Sequence, residues 1–61
     1  MNRKAQITRL QAIYECDTLS EMAVKIGIGL NTLKAYMNHE PVSYSVYETI
    51  QALLQREGIY A

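Results

Sequence analysis

The sequence predicts an all-α fold, a compact domain of four helices with room for a short fifth turn. Apolar residues recur every three or four positions in four separate stretches, which is the spacing of one helix face. No stretch alternates polar and apolar residues as a half-buried strand does. Gly27 and Pro41 lie between successive stretches, and Gly58 follows the last one. Glycine and proline turn a chain or stop a helix. Residues 1–61 are therefore expected to form a single domain.

The first two helices are expected at about residues 3–16 and 19–26. Asn2 is a candidate cap for the first, because a side-chain oxygen there can accept from a free amide. The apolar face of this helix comprises Ile7, Leu10, Ile13 and Tyr14. Thr18, followed three residues later by Glu21, is typical of a capping box and predicts that the second helix begins directly afterwards.

The third helix is expected to begin at Gly29 or Asn31 and to end around Asn38. Asn31 and Thr32 both belong to residue types that cap helices, so a capping role is an alternative to any binding role for them. Pro41 cannot continue the helix, because its ring fixes φ and removes an amide donor.

The fourth helix is expected over about residues 43–57, opened by Ser43 or Ser45 and stopped by Gly58. It carries the longest apolar stripe of the chain together with Tyr44 and Tyr47, and Ile59 and Tyr60 follow it in sequence. A core of this size cannot hide every such side chain, so some are expected to form a homodimer interface. The residues assigned to that interface are Tyr44, Tyr47, Ile59 and Tyr60.

Charge and composition narrow the possible functions. The formal net charge is zero, but residues 1–38 hold five basic and three acidic side chains, whereas residues 39–61 hold one and three. This polarity allows a basic face toward phosphates. One cysteine and one histidine cannot complete a four-ligand metal site. We expect that the protein is not an enzyme and that it has no cofactor and no small-molecule substrate. With no long apolar run, a cytoplasmic protein without a signal peptide or membrane span is expected.

A sharp corner between the second and third helices organises the chain. Gly27 can adopt a positive φ there, a small side chain four residues earlier lets the helices approach, and apolar residues close the inside. The predicted residues of this corner are Ala23, Gly27, Ile28, Leu33 and Tyr36. Their spacing resembles the helix-turn-helix of the Cro/C1-type (Xre-like) repressors of phages and bacteria. The helix-turn-helix would span about 18–38, and the likeness extends to residue 57 through the predicted core and dimerisation helix.

The resemblance implies a small Cro-like repressor that binds an inverted-repeat operator in double-stranded DNA as a homodimer. Asn31 suits adenine and Lys34 suits guanine, while a thymine methyl suits small or apolar side chains. The predicted base contacts are Leu30, Asn31, Lys34, Ala35 and Asn38. The predicted phosphate contacts are Ser20, Lys25, Thr32, Arg3, Lys4 and Arg9.

Each of these assignments has a simpler alternative. The lysines and arginines are also what an ordinary solvated helix face carries. His39 suits a plain helix C-terminus, where its charge interacts well with the helix dipole. Zero net charge, the lack of arginine on the predicted third helix and surplus tyrosines together favour a second function, in which the helix-turn-helix is an adaptor or anti-repressor that binds protein and not DNA.

Overall fold

The computed structural model describes residues 2–59 and confirms the all-α fold. Four helices follow one another: α1 (Arg3–Ile13), α2 (Leu19–Ile26), α3 (Leu30–Met37) and α4 (Tyr44–Arg56). Residues 2–59 contain no strand. None of these four helices is long and apolar enough to cross a membrane.

Side-chain caps begin three of the helices. The Asn2 Oδ1 accepts from the Ala5 amide at 2.8 Å, Thr18 Oγ1 from Glu21 at 3.1 Å, and Ser43 Oγ from Val46 at 3.3 Å. Helix α3 begins from Gly29, which has no side chain to cap it. Neither Asn31 nor Thr32 is therefore the cap of α3, and the capping alternative for these two side chains is wrong.

All four helices end in the same hydrogen-bonded motif. The residue after each last turn is left-handed, with φ of 57° at Glu15, 79° at Gly27, 61° at His39 and 73° at Gly58. The next amide then donates to the carbonyl five residues earlier, as a Schellman motif requires. This motif ends α1 at Ile13, three residues before the predicted end, because Glu15 adopts the left-handed conformation that glycine usually occupies at a helix end.

Glycine exchanges at these left-handed positions should change stability in opposite directions. Gly27→Ala should lower the free energy of unfolding by about 1–2 kcal/mol, since only glycine adopts positive φ without strain. A Cβ at Gly27 would meet no heavy atom within 4 Å, so backbone strain is the whole cost. Glu15→Gly should raise stability by about 0.5–1 kcal/mol, because it removes that strain and a carboxylate at a helix C-terminus. Urea denaturation measures both free energies of unfolding. A change of the same sign in the two variants would contradict the assignment of left-handed conformations to Gly27 and Glu15.

The core contains side chains from all four helices and from the segment after α4. Its fully or nearly fully buried apolar residues are Ile7, Leu10, Met22, Ala23, Leu33, Tyr36, Ile50, Leu54 and Ile59. Ile13, predicted on the apolar face of α1, is 43% exposed. Ile59 is 4% exposed, so its assignment to a dimer interface is wrong. The Schellman motif turns Ile59 back over Leu54, whose carbonyl accepts its amide at 2.8 Å.

A polar cluster inside the core joins three helices. The Tyr36 hydroxyl donates to Gln6 Oε1 and accepts from Gln51 Nε2, both at 2.9 Å. Tyr36 is 1% exposed and Gln6 is 5% exposed. Within residues 2–59, every buried side-chain nitrogen and oxygen has a hydrogen-bond partner. The cluster therefore fixes the rotation of α3 relative to α1 and α4.

Candidate nucleic-acid interface

The corner between α2 and α3 sets the direction of α3. The Ala23 carbonyl accepts from the amides of Gly27 at 2.9 Å and Ile28 at 3.0 Å, which closes the turn. Ala23 is buried at 3% exposure, and Ile28 is half-buried against the core. Leu33 and Tyr36 are buried on the inner face of α3. All five predicted corner residues thus occupy the positions assigned to them.

The outer face of α3 is a short polar strip. Asn31, Lys34 and Asn38 are exposed, and they follow at three and four residues, the spacing that keeps side chains on one helix face. Ala35 and Thr32 are half-buried on one flank of this strip. Amide, ammonium and methyl groups therefore stand together on the surface that faces away from the core.

Leu30 is placed differently from its prediction as an outward base contact. It is half-buried and packs against the core. Leu30 precedes Leu33 by three residues and Met37 by seven, so it shares the side of α3 that contacts the other helices. We therefore leave Leu30 out of the candidate interface.

Two shallow grooves run along the flanks of α3. The α3–α4 groove, about 360 Å³, lies beside the link to α4 and is lined by Asn31, Thr32, Ala35, Pro41, Val42, Ser43 and Val46. The α1–α3 groove consists of two adjoining cavities of about 300 and 210 Å³ that share Lys4, Met37 and Asn38. Its full lining is Asn2, Lys4, Leu19, Lys34, Met37, Asn38 and His39. The outer strip of α3 is thus raised between two depressions.

The α1–α3 groove contains residues that the sequence did not single out for binding. The sequence predicts Asn2 only as a helix cap and indicates no binding role for Leu19 or Met37. Their adjacency depends on how α1 and α2 pack against α3, and no local spacing in the sequence signals it.

The predicted phosphate contacts fall into two groups. Ser20, Lys25, Lys4 and Arg9 are exposed, and Thr32 is half-buried in the α3–α4 groove. Arg3 is instead engaged within the protein. Its guanidinium carbon lies 4.5 Å from the Tyr36 ring centroid, and its Nη1 donates to the Tyr36 carbonyl at 3.3 Å. Arg3 is thus a tie between α1 and α3, and we leave it out of the phosphate-binding set.

The predicted dimer residues are also separated by the fold. Tyr44 is 76% exposed at the start of α4, whereas Tyr47 is 40% exposed. The Tyr47 ring lies 6.4 Å from the Tyr36 ring and 5.8 Å from the Arg3 guanidinium carbon. Tyr60 lies outside the described residues. With Ile59 buried, Tyr44 is the predicted interface residue that remains widely exposed within residues 2–59.

Comparison of the chain with protein-family models, curated proteins and solved structures finds no match.

Proposed function

We propose that this protein is a sequence-specific DNA-binding regulator that inserts α3 into the major groove. The observation that carries the proposal is the strip of Asn31, Lys34 and Asn38, which are exposed on the outer face of α3 and at its C-cap, opposite the buried face of this helix. A major groove admits one helix, and amide and ammonium groups pair with base edges there. Asn31 suits adenine and Ala35 suits a thymine methyl.

The size of the molecule favours binding as a homodimer. Helix α3 has eight residues and is about 12 Å long, which covers only part of one helical turn of DNA. The folded chain measures 25 Å along its longest axis. Two half-sites on one DNA face are about 34 Å apart, so two copies are needed to read an inverted repeat. Occupancy of such an operator in the cytoplasm would repress transcription by excluding polymerase, and no cofactor is needed.

The first test is the salt dependence of DNA binding. Four exposed basic side chains, Lys4, Arg9, Lys25 and Lys34, are available for phosphates on each copy. If these side chains neutralise three or four phosphates, log K should fall against log salt with a slope of about −2.7 to −3.6 per copy, a loss of roughly 40- to 150-fold from 50 to 200 mM. Fluorescence anisotropy with a mixed pool of short duplexes measures this. If the protein bound no duplex at both salt concentrations, the proposal would be excluded.

The second candidate is a protein-binding adaptor or anti-repressor that uses the same fold. Val24 on α2 is 82% exposed and Tyr44 is 76% exposed, and exposed apolar and aromatic side chains favour protein contacts. An apolar protein contact would change little between the two salt concentrations, so the same titration design, applied to a captured partner, separates the two functions.

A further inference from the structure

The α1–α3 groove concentrates hydrogen-bond donors in a protein without net charge. Lys4 of α1 and Lys34 of α3 line the same cavity of about 210 Å³. Carboxamides of Asn2 and Asn38 and the imidazole of His39 complete the polar lining, and within residues 2–59 no carboxylate belongs to it. Two like charges beside one small cavity repel each other, and an anion between them converts that repulsion into attraction. The charges that line the groove therefore favour the binding of an anion.

The floor of this groove is apolar. Leu19 and Met37 line it, and both are half-buried against the core. A DNA strand alternates charged phosphates with largely apolar deoxyribose rings. A groove with ammonium groups at its rim and thioether and isobutyl groups at its floor matches both parts of that repeat, whereas a free inorganic anion would use the rim alone.

The position of Lys34 on α3 distinguishes it from Asn31. Asn31 and Ala35 border the α3–α4 groove, on the opposite flank of the helix. Lys34 belongs to the α1–α3 groove together with Lys4. A helix seated in a major groove has base edges beneath its centre and a phosphodiester strand along each flank. Lys34 thus lies on the flank that a strand would follow.

We propose that the α1–α3 groove holds one strand of the DNA backbone, with Lys4 and Lys34 binding the same phosphate. Lys34 is then a phosphate contact and not the guanine reader that its position in the sequence predicted. This inference rests on the proposed function, because the strand enters the groove only as part of a duplex bound to α3.

The test is a pair of double-variant cycles on an operator selected from random sequence. Lys4→Gln and Lys34→Gln should each leave the salt slope nearly unchanged, because the remaining lysine still neutralises the shared phosphate. The double variant should reduce it by about 0.9 per copy. Lys4→Gln combined with Lys25→Gln is the matched comparison, and these separate sites should act additively.

Base preference supplies the second readout. Across duplexes with single base-pair substitutions, Lys34→Gln should weaken binding by the same factor on every sequence. Relaxed preference at one base pair, or additive slopes for Lys4→Gln and Lys34→Gln, would overturn the inference while DNA binding itself stands. A wild-type protein that binds no duplex would refute both. The NMR chemical shifts of the amides at the groove supply a third readout. Changes produced equally by inorganic phosphate and by duplex would indicate a free-anion site and would also overturn the inference.

Discussion

Asn31→Ala should weaken binding to the selected operator by roughly 30- to 10⁴-fold. A paired hydrogen bond to adenine contributes about 1–3 kcal/mol of discrimination, and a homodimer loses it twice. The helix itself should be unaffected, because the N-cap of α3 is Gly29 and not Asn31. Anisotropy titrations on the operator and on an unrelated duplex, with helicity followed by circular dichroism, measure the effect.

Two comparisons give this prediction its specificity. Affinity for the unrelated duplex should be unchanged, because the substitution removes no charge and phosphate contacts dominate non-specific binding. Gln55→Ala provides a matched control, since it removes an exposed carboxamide from the far end of α4. An operator affinity that is the same for Asn31→Ala as for Gln55→Ala would remove Asn31 from the interface.

Tyr36→Phe should lower the free energy of unfolding by about 2–3 kcal/mol. The variant keeps the ring beneath Arg3 but loses the hydroxyl that Gln6 and Gln51 share. An unpaired buried acceptor costs about 1–3 kcal/mol, and Gln6 is 5% exposed. Gln51 is half-buried and can turn toward water. A domain of this length has roughly 3–9 kcal/mol of stability in total, so the loss is a large share of it.

A second substitution distinguishes lost hydrogen bonding from damaged packing. In Tyr36→Phe combined with Gln6→Met, both members of the buried pair become apolar, and such replacements are often nearly neutral. Urea denaturation should therefore show that the double variant recovers most of the loss. A double variant less stable than Tyr36→Phe alone would mean that packing, and not the unpaired oxygen, controls this part of the core.

The same hydroxyl should make stability depend on alkaline pH. Burial raises the pKa of the Tyr36 hydroxyl, which favours its neutral form in the folded chain. Its contribution is therefore complete below the unfolded-state pKa of about 10 and is lost as the pH rises through the higher folded-state pKa. The stability difference between wild type and Tyr36→Phe should shrink above about pH 10. A constant difference from pH 8 to 11 would contradict this.

The sequence alone determined the helices and the corner. Caps at Thr18 and Ser43, the glycine stop at Gly27 and the three- and four-residue apolar spacing act over less than two turns of chain. Such local hydrogen bonds do not depend on how the helices later pack, which is why the start of α2 and the Gly27 turn agree with the prediction. The end of α1 does not, because Glu15 adopts a left-handed conformation that glycine normally occupies.

The tertiary structure alone decided which side chains are available at the surface. Arg3 contacts Tyr36 across 33 residues and Gln6 contacts it across 30, so no local spacing could reveal that either is engaged. The burial of Ile59 and the half-burial of Leu30 depend on where α4 and α3 pack. The pairing of Lys4 with Lys34 in one groove has the same origin, because only helix packing brings residues so far apart in sequence together.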